Sequence, residues 1–180
     1  MPHNDTDSGI LKLPAPFVIE ALRRNHKSKS FSCGEEDLDF YVQRFALTNA
    51  RKGFSKTYVA VKEGEPQIQG YYSISADSVS LQLMPEPAGM PSKIPLILIG
   101  RLAVDSSLQG SGIGSDLLIH ALRTSLGVAD SLGIYAVAVE ALNERARRWY
   151  LKLGFTPFTD SPLHLFLPMN QVRALFSVEA

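Results

Sequence analysis

The sequence predicts a mixed α/β fold of the α+β kind, a central sheet whose first strands are antiparallel. Three observations predict it. The β-rich runs Thr57–Lys62 and Ile68–Val79 flank the turn Gly64-Glu65-Pro66 and read as an antiparallel hairpin. The β segment Leu96–Val104 leads through a glycine-rich loop into a helix with a wide apolar stripe: Ile113, Leu117, Leu118, Ala121 and Leu122. Gly133–Val139 (GIYAVAV) is a nearly continuous apolar run, as expected of a strand buried on both faces.

The remaining elements follow in chain order. Residues 1–9 are polar and are expected to fray. Glu35 to about Ala50 reads as an amphipathic helix, because Leu38, Tyr41, Val42 and Phe45 fall at i, i+3, i+4 and i+7. Ser32 and Glu35 have the spacing of its capping box. Pro85, Pro87, Pro91 and Pro95 punctuate the loop from Met84 to Leu96. Asn143–Leu153 is a second clear helix, with Asn143 placed as N-cap and Gly154 where a C-terminal glycine belongs. A short hairpin, Phe155–Pro157 with Leu163–Leu167, is expected to finish the sheet.

Bulk properties bound the function classes. A chain of 180 residues is sized for one domain, residues 1–180, with a core large enough to need no disulfides. The lone cysteine, Cys33, fits a reducing compartment. Lys12, Glu20, Arg23 and Arg24 interrupt any signal-peptide stretch, and Ile94–Gly100 is too short to span a membrane, so a cytoplasmic protein is expected. The 18 basic and 18 acidic residues cancel, giving no global argument for a nucleic-acid partner. Two local basic clusters exist, Arg23–Lys29 and Arg145–Lys152, although solvated surface charge explains such runs equally well.

The sharpest signal is Gln109-Gly110-Ser111-Gly112-Ile113-Gly114 between a strand and a helix. A helix N-terminus presents unpaired N–H groups and a partial positive charge, and glycines let backbone approach an anion. A P-loop is excluded because no lysine follows Gly114. A dinucleotide fingerprint fits poorly: Asp105–Gln109 intervene between strand and glycines, and only 40 residues remain after Glu140. The pattern that remains, Gln109-x-x-Gly112-x-Gly114, resembles the pyrophosphate loop of the GNAT acetyltransferase superfamily.

Other segments carry the same resemblance. Arg101-Leu-Ala-Val-Asp105 resembles the family's central strand, and Asn143-Glu-Arg-Ala146 with Trp149-Tyr150 and Gly154-Phe155 its late helix and following strand. The resemblance spans about residues 56–168 and implies the GNAT fold with acetyl-CoA as cosubstrate. It implies main-chain bonds from Leu102, Ala103 and Val104 to the pantetheine arm. It likewise implies pyrophosphate binding by the amides of Gln109, Gly110, Ser111, Gly112, Ile113 and Gly114, with Asn143 beside the cofactor. A narrower set, Phe31-Ser-Cys33-Gly34 with Leu38-Asp39, Lys93-Ile-Pro95, Gly100–Asp105 and Trp149-Tyr150, resembles the acetyltransferase toxins of toxin–antitoxin pairs. That likeness implies acetylation of the α-amine of aminoacyl-tRNA, a translational block, and restraint by a ribbon-helix-helix antitoxin; it leaves a homodimer open. A neutral chain departs from the basic balance expected of a tRNA binder. N-acetylation of protein N-termini, lysines or small amines therefore stays open, as does an idle GNAT module acting only as a binding partner.

For acetyl transfer the chemistry needs a neutral amine and a proton for the departing thiolate. An α-amine of pKa about 7.7–8.0, lower when its carboxyl is esterified, is already largely neutral near pH 7, so a strong base is optional. Tyr150 is the candidate proton donor. It shares a helical face with Ala146, Trp149 and Leu153, so its ring is expected to point inward; a core tyrosine is the plain alternative. Arg145, Arg147, Arg148 and Lys152 line other sides of this helix. No metal is expected, since His26, His120 and His164 lack ligand spacing with one another or with Cys33. Cys33 precedes a helix, which would lower its pKa, but packing suits it better. Arg101, in an apolar strand, needs a carboxylate or a substrate group.

Overall fold

The computed structural model describes residues 17–177, so the stretch 1–9 lies outside the described residues. Seven strands form one sheet: β1 (Phe17–Ala21), β2 (Lys56–Lys62), β3 (Ile68–Ser80), β4 (Lys93–Val104), β5 (Ala136–Glu140), β6 (Thr156–Pro157) and β7 (His164–Pro168). They lie in the order β1-β2-β3-β4-β5-β7-β6. Among the described strands β4 and β5 alone pair in parallel. The crossover between them is α3 (Ile113–Ala129), which a parallel pair requires.

Two strand expectations hold, although β5 begins at Ala136 and not at Gly133. The hairpin of β2 and β3 forms as read, and Ala136 to Val139 of β5 are fully buried. Two elements escaped the pattern. Strand β1 is a five-residue edge carrying Glu20, and it is held by pairing along β2 from Phe17 opposite Lys62 to Ala21 opposite Tyr58. The closing hairpin forms as read, with Thr156 opposite Phe166 and Pro157 opposite Leu165 at the end of the sheet, but the chain does not stop there. It turns at Pro168 into α5 (Met169–Ser177), which buries Met169 and Val172 against the α3 side of the core.

The first helix differs from its sequence pattern in an instructive way. It comprises α1 (Glu36–Phe40), a π-helical segment (Tyr41–Phe45) and α2 (Ala46–Lys52), ending at Gly53 in the left-handed region. No capping box forms, because Glu35 makes no side-chain bond to the helix start. Instead Asp39 reaches back: it accepts from the Ser32 hydroxyl (3.1 Å) and the Cys33 amide (2.8 Å). Tyr41 and Val42 are buried as their spacing requires, but the wide π turn then advances the buried position by one residue. Phe45, expected inside, is 48% exposed, while Ala46 is fully buried.

The helices sort to two faces. The α1–α2 segment packs on Val59, Val61, Tyr71 and Ala103. On the other face α3 and α5 join α4 (Glu144–Lys152) over Ile97, Ile99, Val137 and Val139. Asn143 caps α4 as expected, its side-chain oxygen accepting from the Ala146 N–H at 3.0 Å. Leu153 does not share the inward face. The helix ends at Lys152, and Leu153 (ψ 2°) leaves helical geometry and stays exposed.

The π turn yields a test. Phe45→Ala is expected to change stability by no more than about 0.5 kcal/mol, whereas Ala46→Leu overpacks a closed site and should cost about 1–3 kcal/mol. Chemical denaturation of both variants checks this; the reverse ranking would mean an uninterrupted α-helix.

Candidate active site

The site begins where two strands part. β4 pairs with β3 along its whole length, Lys93 to Val104. It pairs with β5 only from Leu96 to Ile99. At that point the β3 register skips Gly100, a bulge, while β5 stays paired with β7 as far as Glu140 opposite His164. The β5-facing edge of Gly100–Val104 is therefore left open.

Backbone alternation decides which groups face that edge. The Asp105 N–H donates to Gln69 O on the β3 side (2.9 Å). In an antiparallel ladder alternate residues point opposite ways, so Leu102 and Val104 turn their N–H and C=O groups to the gap. Ala103, expected beside them, turns its polar groups into the β3 pairing and offers the gap nothing.

The glycine loop closes one end of the gap. Gly110 (φ 82°) and Gly112 (φ 97°) hold left-handed conformations, and a Cβ built on either would meet nothing within 4 Å. Space in front of this backbone is open, as an anion cradle needs. Asp116 N–H to Gly112 O is the first bond of α3, so the amides of Ile113, Gly114 and Ser115 precede the ladder. Ser111 is already engaged, its N–H donating to Leu108 O (3.2 Å). Gln109 is a brace: its side-chain amide donates to Val104 O (3.1 Å) and Cys33 O (2.8 Å).

A second stitch joins the same loops. Asp105 accepts from the Ser32 amide (3.2 Å) and from the Ser107 hydroxyl and amide. Burial alone would raise the Asp105 carboxyl, but these bonds outweigh it and hold its pKa below the ordinary value. Cys33 is not activated. Burial first, then its bond to Asp39, pushes the thiol up to about 11, so its place is in the packing of this loop. Sequence reasoning missed Asp39 and Asp105 as loop ties; the only signal was two carboxylates flanking the Ser32-Cys33 segment and the glycine loop.

Tyr150 is 5% exposed, within the core on the α3 side, its ring edge-on to Phe155 (5.3 Å) and beside a half-buried Trp149 (4.9 Å). Burial raises its pKa. Its hydroxyl bonds to no described residue, yet among the described residues the buried side-chain polar atoms left without a partner are Thr57 Oγ1 and His164 Nε2. The Tyr150 oxygen therefore reaches open space. Arg101 meets no carboxylate among the described residues; its guanidinium lies 3.9 Å over the Tyr41 ring. In the second basic cluster Arg147 is tied to Pro162 O and Glu144, leaving Arg145, Arg148 and Lys152 exposed.

Residues 53–157 match the family model described as acetyltransferase (GNAT) domain. The chain belongs to the GNAT acetyltransferase family. It is 40% identical over 148 residues, 81% of this chain and 88% of the other, to a tRNA-acetylating toxin of Mycobacterium tuberculosis. Among solved structures it superposes on the AtaT toxin complexed with acetyl-methionyl-tRNA(fMet), with TM-score 0.84, 31% identity and 89% and 99% of the two chains covered. A phenylalanine variant of AtaT bound to the C-terminus of the antitoxin AtaR and acetyl-CoA gives TM-score 0.78 at 31% identity, covering 89% and 98%. The GNAT cosubstrate, acetyl-CoA, fits what the fold leaves open: a strand edge with free backbone groups, and an uncovered glycine turn at a helix start.

The glycine turn is directly testable. Gly112→Asp and Gly112→Asn impose the same left-handed strain, but only the first adds a negative charge. Acetyl-CoA is expected to raise the melting temperature of the wild type and, less strongly, of Gly112→Asn, but not of Gly112→Asp. Wild-type acetyl-CoA affinity in a folded Gly112→Asp variant would remove this loop from the site.

Proposed function

We propose that this enzyme transfers the acetyl group of acetyl-CoA to the α-amine of aminoacyl-tRNA, so blocking that amine for translation, in the cytoplasm where charged tRNA is found. One observation carries the reading. The open β4 edge runs into the unpaired amides at the start of α3, and Tyr150 packs in the same core cluster as Ile113 of that helix start. The likeness to tRNA-acetylating toxins selects the acceptor from among the amines a GNAT enzyme can use. The neighbour bound to its antitoxin supports an antitoxin as the protein partner that restrains it.

In this reading the main-chain groups of Leu102 and Val104 bond the pantetheine amides, extending the sheet by one more strand-like element. Gly110, Gly112, Ile113 and Gly114 receive the pyrophosphate at the positive end of α3. Asn143, with its oxygen committed to the helix cap, keeps its amide NH₂ to donate toward the same gap. Opposite charge at such a helix end is worth about 0.3–1 kcal/mol at an exposed site, more where partly buried.

The reaction forms an N–C bond and breaks the C–S bond, and it releases one proton from nitrogen and requires one on sulfur. An esterified α-amine is neutral in large part near pH 7, so it attacks without a strong base. Tyr150 supplies the proton to the leaving sulfur. Its raised pKa keeps the hydroxyl protonated across the physiological range, which makes it a donor and not a base. The proton lost by nitrogen replenishes it through water.

Mass spectrometry of charged tRNA incubated with labelled acetyl-CoA tests acceptor and donor together. Label is expected on the α-amine, and Tyr150→Phe should lower kcat by ~10²–10⁴-fold with acetyl-CoA binding retained. Label on proteins or small amines alone refutes the acceptor. A Tyr150→Phe rate within about threefold of wild type, with lowered stability instead, makes Tyr150 a core residue.

A further inference from the structure

We infer that the outer surface of the α1–α2 segment is a stacking platform for single-stranded RNA, positioning the acceptor end of the tRNA; this rests on the acceptor reading above. No acidic residue occurs between Asp39 and Glu63, in a chain whose 18 acidic and 18 basic residues balance overall. Within that stretch Arg44, Arg51, Lys52 and Lys56 are all exposed, and none forms an ion pair with a described residue. Three phenylalanines share the stretch and face solvent: Phe40 at 50%, Phe45 at 48% and Phe54 at 67% exposure.

Exposed phenylalanine of this density contributes little to folding and asks for a partner. The π turn brings Phe40 and Phe45 together, ring edge to ring face, with centroids 5.4 Å apart. Aromatic faces interleaved with unpaired cations match a nucleic-acid single strand, whose bases stack while its phosphates pair with the cations. An acidic peptide would meet the cations but leave the rings uncovered. The platform also joins the active site. Tyr41, between Phe40 and the rest of the π turn, lies under Arg101, which is on β4 where the strand gap opens. The platform and the open edge of β4 are thus linked through the Tyr41–Arg101 contact.

The test uses the full chain and a fluorescein-labelled single-stranded RNA dodecamer ending in ACCA. Fluorescence anisotropy is expected to show at least fivefold weaker binding for Phe40→Ala/Phe45→Ala, with melting temperature and acetyl-CoA binding unchanged. Phe40→Tyr/Phe45→Tyr, which keeps the stacking faces, should restore affinity. Arg51→Gln/Lys52→Gln should flatten the salt dependence, by about 0.7 in the log–log slope for each phosphate that is no longer neutralised. RNA affinity within twofold of wild type in the alanine pair overturns the platform, even if charged tRNA is still acetylated. Loss of a protein partner with RNA binding intact overturns it as well. If wild type leaves charged tRNA unacetylated while the alanine pair still loses RNA, the acceptor reading falls and the platform stands.

Discussion

Where β4 stops pairing with β5 governs the rest of this molecule. Four residues of parallel ladder, Leu96 to Ile99, hold the two halves of the sheet together, and beyond them each strand keeps only its outer neighbour. The bulge at Gly100 fixes that point. Past it the backbone groups of Leu102 and Val104 are a strand edge inside the sheet that β5 does not pair, with the Val104 carbonyl accepting from Gln109. A continuous ladder would have closed the sheet and erased the site. The unpaired edge and the glycine turn that follows are parts of one connected stretch of chain, so the parting of the strands also sets where α3 begins.

Loops from the opposite face of the sheet hold this geometry. Gln109 spans from Val104 to Cys33, Asp105 accepts from the Ser32 amide, and Asp39 grips both Ser32 and Cys33. The α1 start, the end of β4 and the glycine turn are thereby tied by polar bonds that add to the apolar packing of Phe31, Cys33 and Ala103. Such bonds contribute only about 0.5–1.5 kcal/mol each, but they are directional, which is what positioning a few amides requires. The buried cysteine in this knot is chemically quiet, its thiol pushed up by burial.

Much of this was legible in the sequence, for identifiable reasons. Glycine spacing and helix periodicity report local geometry, so the glycine turn, α3, the Asn143 cap and the inward Tyr150 could be read directly. What failed depended on non-local or subtle backbone facts. Strand β1 exists because β2 offers it an edge, and its own five residues carry little pattern. The π turn adds one residue to a helical phase, which no 3.6-residue count contains, so Phe45 was assigned to the core in place of Ala46. Arg101 was expected to meet a carboxylate or a substrate group, because the apolar strand around it suggested burial; in the structure it is exposed and rests on the Tyr41 ring, with no described carboxylate beside it. The alternation that separates Leu102 and Val104 from Ala103 becomes visible only once the bulge at Gly100 sets the register.

Hydrogen–deuterium exchange with and without acetyl-CoA probes the parted strands most directly. Added acetyl-CoA is expected to slow exchange of the amides at Leu102 and Val104 and at Gly112 to Ser115, and to leave Ala103, already paired to β3, nearly unchanged. Protection elsewhere on the sheet, with these amides exchanging as fast as in the free protein, would contradict the open β4 edge as the cosubstrate site.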